Sequence, residues 1–275
     1  MSNESSARAG SRTSFSLRLD EQVRHVITAA TLAPSVHNSQ PWRVVERAGG
    51  VDLFADDERR LPGRDPLGRQ VRLSCGAALL HARVAARGLG LNVTVVLQPE
   101  PKTPALLARL QLSSGSPATE AELNLATAIL HRRGFRGVLA GRPVPAALVA
   151  GLRRVTEAEG AVLRPLTRPD DLRELDVLLA SANTDELGIS EGALVVLLST
   201  TSDDVGAWLQ AGQAMGAVLL HAAAKGLLAA PVGQAADQVA ARVRLARALS
   251  LVGVPQLVLR LGVAQGRAGD SGRLP

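Results

Sequence analysis

Apolar positions recur along the chain with two spacings, one typical of helices and one typical of strands. Residues 19–33, LDEQVRHVITAATLA, are apolar at every third or fourth position, which predicts a helix that ends before Pro34. Residues 42–56, WRVVERAGGVDLFAD, predict two strands joined by a turn at Ala48–Gly50.

The same two spacings repeat after a loop rich in proline and glycine. Residues 69–88 predict a long helix with Gly88 in its C-cap position. Residues 91–99, LNVTVVLQP, and residues 106–113, LLARLQLS, predict a second pair of strands. The first part of the chain is therefore expected to alternate helices with strand pairs.

A polar stretch, SSGSPATE at 113–120, separates two halves of the chain. We predict a first half over residues 17–113 and a second half over residues 118–275. The polar residues 1–16 are expected to form a disordered tail.

The second half alternates helical and strand spacing throughout. Thr119 and Glu122 have the spacing of a capping box, which predicts a helix that runs to His131. This alternation predicts an α/β or α+β fold. The later predicted elements are a helix over 146–159, a strand over 161–166, a helix over 170–182, a strand over 193–200, a helix over 203–226, an Arg-rich helix and a strand over 255–263.

Composition limits the class of protein. The 275 residues are 46% hydrophobic, enough for a sizeable core, and contain no long uninterrupted apolar run. The N-terminal stretch is polar, so neither a membrane span nor a secretory signal is expected. Cys75 is the only cysteine, which excludes an internal disulfide and favours a reducing cytoplasm. Its position in an apolar helix favours a buried structural thiol over a reactive one.

The positive charge raises the possibility of a nucleic-acid partner. The net charge is +6, yet only two of the 31 basic residues are lysines, Lys102 and Lys225, and the arginines are spread along the whole chain. No basic cluster alternates with aromatic residues that could stack on bases. We therefore expect no nucleic-acid binding, although a nucleic-acid or acidic partner stays as a third hypothesis.

Two segments concentrate polar side chains. In PSVHNSQPW, residues 34–42, Ser35 and Asn38 are among four donors and acceptors that suit a neutral, hydrogen-bonding ligand edge, or an ordinary polar loop. Farther along, Arg132, Arg133 and Arg136 surround Gly134, a pattern typical of phosphate binding or of a solvated charged face. The five histidines lack metal-ligand spacing, so no metal is expected.

The order of these segments resembles a known family. LAPSVHNSQPWRV resembles the APSxxNxQPW loop of the flavin-dependent nitroreductase superfamily, RRGFR resembles its Arg-rich segment, and the terminal GRLP resembles its closing basic element. Residues 61–90, 208–227 and 253–262 resemble the Acg family more specifically, over roughly residues 20–275. That resemblance implies a nitroreductase-like fold in which two fused halves mimic the usual homodimer, as a monomeric pseudo-dimer or a weak homodimer.

The resemblance also implies one FMN per chain, since the loop occurs only in the first half and the Arg segment only in the second. NAD(P)H would reduce the flavin, a small oxidised molecule would be the acceptor, and no side chain would be needed as a general acid. An FMN storage protein without turnover is the alternative. The implied cofactor-binding positions are Pro34, Ser35, Val36 and Asn38 along the flavin, Val232, Gly233 and Gln234 near its N5 and O4, and Arg132, Arg133, Gly134, Arg136 and Arg273 around the phosphate.

Two departures from the family pattern accompany the resemblance. Gly134 replaces the usual Ser or Thr, which removes one hydroxyl donor to the phosphate. The segment at 183–192 is shorter than the family's usual insert and lacks its DGxP element, which implies a more open flavin face.

Overall fold

Neighbouring strands in the described residues all run antiparallel. The computed structural model describes residues 20–61, 63, 65–132, 139–140, 143–181, 193–232 and 239–264. Two compact units divide the chain, residues 1–130 and residues 131–275. Antiparallel sheets that alternate with helices make the fold α+β, one of the two predicted classes.

The described elements follow the predicted alternation. In order they are α1 (20–31), β1 (Trp42–Arg47), β2 (Gly50–Ala55), α2 (Arg69–Gly88), β3 (Leu91–Leu97), β4 (Leu106–Ser114), α3 (Glu120–His131), β5 (Leu139–Ala140), α4 (Ala146–Ala158), β6 (Val162–Leu166), α5 (Pro169–Ser181), β7 (Leu194–Thr200), α6 (Val205–Ala224), β8 (Leu228–Val232), α7 (Val239–Ala248) and β9 (Val254–Ala264).

A four-stranded sheet in the order β1-β2-β4-β3 forms the first unit's framework. Arg47 lies opposite Gly50, so the turn of the β1–β2 hairpin is Ala48 and Gly49 alone. Gly49 adopts a φ of 71°, which glycine tolerates without strain. Gly50 belongs to β2, where a side chain would collide with the Leu110 carbonyl of β4. The predicted strand pair is confirmed, with its turn one residue shorter.

Helix α2 is buried along most of its length. Its C-cap is Leu89, and the left-handed residue that follows is Gly90, with a φ of 74°. The prediction of Gly88 as the C-cap is therefore wrong. Gly88 is instead the last helical residue, and a Cβ there would lie 2.6 Å from the Ala126 Cβ of α3. Its missing side chain allows α3 to pack closely against α2.

Helix α3 starts with the predicted capping box. The Thr119 amide donates to Glu122 Oε2 at 2.8 Å, and the Glu122 amide donates to Thr119 Oγ1 at 3.3 Å. Arg87 at the end of α2 binds the same carboxylate through Nε, 2.9 Å from Oε1. Residues 120–130 therefore lie with the first compact unit. That the two units are nitroreductase-like halves stays a prediction.

Strand β9 organises the second unit's sheet, because it pairs with β7, β8 and β5. The sheet packs against α5 and α7 through a core that includes Leu175, Leu197, Leu245 and Val258. Strand β8 was not predicted, since its short sequence LAAPV lacks a clear alternation and contains a proline. No described helix is both long and apolar enough to span a bilayer.

Each unit contains one buried tryptophan. Trp42 begins β1 in the first unit and is 6% exposed. Trp208, in the first turn of α6 in the second unit, is 8% exposed. Both side chains therefore belong to the packed interior.

Candidate functional site

The loop between α1 and β1 holds three non-glycine residues in the left-handed region. The φ angles are 51° at His37, 57° at Asn38 and 46° at Gln40. Side chains disfavour this region by roughly 1–3 kcal/mol per residue, so such conformations persist only where surrounding contacts impose them. Strained loops of this kind are concentrated at ligand-binding sites.

Hydrogen bonds that involve Ser35 and Gln40 impose this conformation. Ser35 Oγ accepts a hydrogen bond from the Gln40 backbone amide at 3.0 Å. The Gln40 side-chain amide donates to the Thr31 carbonyl at 3.3 Å, which ties the loop to the end of α1. Arg59 Nη1 donates to the Gln40 carbonyl at 3.3 Å. Ser35 and Gln40 therefore hold the loop in shape.

Two hydrogen bonds to helix α2 also hold the loop in place. The Val36 amide donates to Ser74 Oγ at 3.4 Å, and Cys75 Sγ donates to the Pro41 carbonyl at 3.3 Å. Cys75 is fully buried, and this burial raises the pKa of its thiol far above the usual range. The thiol therefore stays protonated, which confirms the structural interpretation of Cys75 over the reactive one.

The side of the loop that faces away from α2 carries groups that are free to contact a ligand. Asn38 is exposed, and its side-chain amide makes no hydrogen bond to any described residue. Pro34, Ser35 and Val36 are half-buried. The loop is thus a fixed, neutral edge with one donor and acceptor pair facing outward at Asn38.

Arg132 follows the last residue of α3 and is half-buried. Burial lowers the pKa of its guanidinium, because desolvation disfavours the charged form. An anion beside Arg132 would offset that cost. Its predicted companions Arg133, Gly134, Arg136 and Arg273 lie outside the described residues.

Val232 is the last residue of β8 and pairs with Val258 of β9. The sheet therefore fixes the backbone just before the two other positions predicted to approach the flavin. Those positions, Gly233 and Gln234, lie outside the described residues, as does the shortened segment at 183–192.

A polar cluster links the start of α6 to α7. It was not predicted from the sequence. Asp203 Oδ1 accepts from Trp208 Nε1 at 2.6 Å, and Asp203 Oδ2 accepts from Arg242 Nη2 at 2.6 Å. Gln256 of β9 donates to Thr200 Oγ1 at 2.9 Å beside them. Asp203 and Arg242 are 39 residues apart, so no local pattern could have paired them.

A surface cavity beside the predicted loop was also missed. Its walls come from the loop itself, from residues 59–61 after β2, and from the first turn of α2, with Ser39, Arg60 and Gln70 among the polar side chains. No group of three His, Cys, Asp or Glu side chains among the described residues could hold a metal ion.

Comparison with known proteins gives relatives in Mycobacterium tuberculosis. The protein named "Putative NAD(P)H nitroreductase Rv3131" is 33% identical over 295 residues, which cover 89% of this chain and 86% of the relative. The protein named "Putative NAD(P)H nitroreductase acg" is 28% identical over 297 residues, covering 88% and 89%. An uncharacterized protein, Rv3127, is 39% identical over 118 residues, covering 42% of this chain and 34% of that protein. No family model matches the chain.

Solved structures give partial overlaps. Nitroreductase A from Vibrio parahaemolyticus superposes with a TM-score of 0.43 at 15% identity, covering 55% of this chain and 72% of that one. A nitroreductase with bound FMN from Bacteroides fragilis gives a TM-score of 0.41 at 17% identity, covering 55% and 98%. The relatives in sequence extend over far more of the chain than these overlaps do.

Proposed function

The chain belongs to the NAD(P)H nitroreductase family, in the branch that includes Acg, and we propose that it binds FMN and transfers electrons from NAD(P)H to a small oxidised acceptor. The family follows from the relative that is 33% identical over 89% of the chain. The cofactor and the acceptor class are the proposal.

The conformation of the loop at 34–41 is the observation that carries this proposal. A binding loop that is already ordered loses little conformational entropy when a ligand binds. Ser35 and Gln40 fix it from within, and Cys75 fixes it from α2. This leaves Pro34 and Val36 to contact an apolar ring edge and the Asn38 amide to hydrogen-bond a neutral polar edge. A flavin ring has both kinds of edge.

The FMN phosphate is assigned to the arginines. Arg132 loses solvation in its half-buried position, and a dianionic ligand beside it would stabilise its charged form. Arg133, Gly134, Arg136 and Arg273 are proposed to complete the phosphate site, from their positions in the sequence. Arginine suits this task because its planar fork binds two phosphate oxygens at once.

The stretch of backbone that begins at Val232 is proposed to contact the N5 and O4 side of the ring, together with Gly233 and Gln234. Bound FMN would supply the electron transfer itself. Amide donors at this edge would stabilise negative charge on the ring, so this chain's part is to bind, orient and tune. No side chain is assigned as a general acid.

The direct test is flavin content followed by reduction. We expect about one FMN per chain on acid release, because each predicted motif occurs once. Under anaerobic conditions NADH or NADPH should bleach the bound flavin at a rate on the order of 1 per second or faster. No flavin after reconstitution, or two per chain, would contradict the proposed site.

FMN storage without turnover is the second candidate, and the burial of Trp42 favours it. Nitroaromatic acceptors are commonly stacked against aromatic side chains, but Trp42, the aromatic residue of the loop segment, is packed in the interior. A flavin that dithionite reduces while both nicotinamide nucleotides leave it oxidised would establish storage over turnover.

A further inference from the structure

Strand β3 forms one edge of the first unit's sheet, since its only partner among the described strands is β4. The Gln98 amide, just beyond β3, donates to the Leu107 carbonyl at 2.9 Å. At the other end, the Gly115 amide donates to the Gly90 carbonyl at 3.1 Å. In an antiparallel pair, alternate residues turn their backbone groups towards the partner strand. The even-numbered residues of β3 therefore bond to β4, and the odd-numbered residues turn their amides and carbonyls to the outer edge.

These outward backbone groups are available along most of the strand. The amides and carbonyls of Val93, Val95 and Leu97 make no hydrogen bond to a described residue. The Leu91 carbonyl, by contrast, accepts from Arg87 Nη1 at 2.8 Å. A row of free amides and carbonyls is a template for a further strand. The edge is therefore open to strand pairing beyond Leu91.

The side chains along this edge are also incompletely covered. Val93 and Val95 lie on the same face as Leu112 and Leu110, their partners in β4. The two leucines are 3% and 0% exposed, whereas the two valines are only half-buried. On the other face of the strand, Val96 is 50% exposed. A strand added at this edge would bury apolar surface on both faces, which is favourable.

Strand β3 lacks the features that usually keep strand edges apart. Its sequence, LNVTVVL, contains no charged residue and no proline. The other edge strand of the same sheet, β1, contains three charged residues. In the second unit's sheet, β6 contains Arg164 and Pro165, and β8 contains Pro231. Charges and prolines at an edge prevent unwanted pairing, so β3 is the edge that suits pairing with another chain.

We propose that β3 pairs antiparallel with β3 of a second copy of this chain and joins the two first-unit sheets into one. A two-fold axis at Val95 places Val93 opposite Leu97 of the partner subunit, so the free amides and carbonyls of the two strands satisfy one another. An uncharged strand is complementary to itself, because the pairing brings no like charges together. The surface lies within one unit and requires no flavin, so it goes beyond the proposed electron transfer.

The oligomeric state of the full-length protein tests this pairing. Sedimentation velocity over a wide range of concentration, with and without FMN, should show a monomer that converts to a dimer as concentration rises. The dimer should be weak and reversible, because one strand pair is small beside the roughly 1,600 Å² buried in stable complexes. Hydrogen exchange of a peptide that covers residues 91–97 should slow in the dimer, at the amides of Val93, Val95 and Leu97.

Two double variants test the alignment of the strands. The proposed axis places Thr94 directly opposite Val96 of the partner subunit, and both side chains are exposed. T94K/V96K puts like charges face to face and should weaken dimerisation about tenfold or more. T94K/V96E puts opposite charges in the same places and should restore the dimer. V162K/V177K, which replaces two exposed valines of the second unit, is the control and should dimerise like wild type.

Several results would overturn the proposal. A protein that stays monomeric throughout would exclude the pairing, and slow exchange of the 91–97 peptide in that monomer would show that another part of the chain covers the edge. A dimer that T94K/V96K leaves intact must use another surface. Equal weakening by V162K/V177K would show only an effect of added charge. If T94K/V96K fails to fold, T94K/V96E decides the matter, because its dimer should weaken as salt is raised and the wild-type dimer should not.

Discussion

The Ser35 hydroxyl accepts a hydrogen bond from the backbone amide of Gln40, 3.0 Å away, and so closes the loop across its left-handed residues. The five-residue separation places one half of this bond on each side of His37 and Asn38. A single side chain therefore stabilises a backbone conformation that those two residues would otherwise disfavour.

Replacing Ser35 by Ala should remove this closure. We expect the free energy of unfolding to fall by about 1 kcal/mol, the usual contribution of one hydrogen bond. FMN affinity should fall with it, because the loop would no longer be held ready to bind. Urea unfolding and flavin titration measure the two effects. Ser39→Ala is the matched control for stability, and an equal loss there would contradict the role of Ser35.

Two substitutions of Asn38 should distinguish an effect on FMN binding from an effect on folding. Asn38→Gly keeps a residue that tolerates a φ of 57° but removes the exposed amide, so stability should stay near that of wild type while FMN binds less tightly. Asn38→Val should reduce both, because a β-branched side chain disfavours the left-handed region. Unchanged FMN affinity in Asn38→Gly would remove Asn38 from the proposed site.

Arg132→Ala tests the phosphate site. FMN affinity should fall by roughly 1.5–3 kcal/mol, the range for a hydrogen bond to a charged group, while riboflavin affinity should barely change. Fluorescence quenching of the two flavins measures both. Arg154→Ala, which removes an exposed arginine from α4, is the control. Equal loss for riboflavin and FMN would show that Arg132 acts on the fold and not on the phosphate.

The contact between Arg87 and Glu122 predicts a pH dependence of stability. Hydrogen bonds from Arg87, and then from Thr119, lower the pKa of Glu122 to about 2 from its ordinary 4.5. The ionised form is thus stabilised by folding, so this contribution is present above the unfolded-state pKa and is lost as pH falls from 4.5 towards 2. Glu122→Gln should make the free energy of unfolding depend less on pH across that window. Glu120→Gln, in the same helical turn, should leave the slope unchanged.

The ion pair of Asp203 with Arg242 should matter far more to stability than a surface pair of the same length. Arg242 is 3% exposed and Asp203 31%, so Asp203→Asn leaves a largely buried cation and should cost about 2 kcal/mol. Asp170→Asn breaks the pair with Arg173, also 2.6 Å but exposed, and should cost close to nothing. Similar losses in both variants, measured by urea unfolding, would contradict this account.

Local patterns predicted most of the fold. Helix α1, the β1–β2 hairpin and the Thr119–Glu122 capping box depend on residues within a few positions of one another, and all were predicted. Gly88 was misjudged because its role depends on Ala126, a residue of another helix. Contacts between distant segments are not encoded in any short window of sequence.

The same distinction applies to the candidate site. The polar loop could be identified from its motif. The motif does not show that Ser35 and Gln40 make the hydrogen bonds that hold the loop while Asn38 is exposed. The cavity at Gln70 depends on three segments brought together by folding. The sequence alone could not show that Gln70 would be buried in its wall.

The two buried tryptophans are intrinsic fluorescence probes of folding. The sequence contains no tyrosine, so ultraviolet emission comes from Trp42 and Trp208 alone, one in each compact unit. Trp208 differs from Trp42 in donating to a carboxylate, that of Asp203. Substituting either one by Phe leaves a single emitter, whose spectrum follows one unit at a time. Paired denaturation curves from the two variants would therefore reveal whether the units melt together or in sequence, without any added dye.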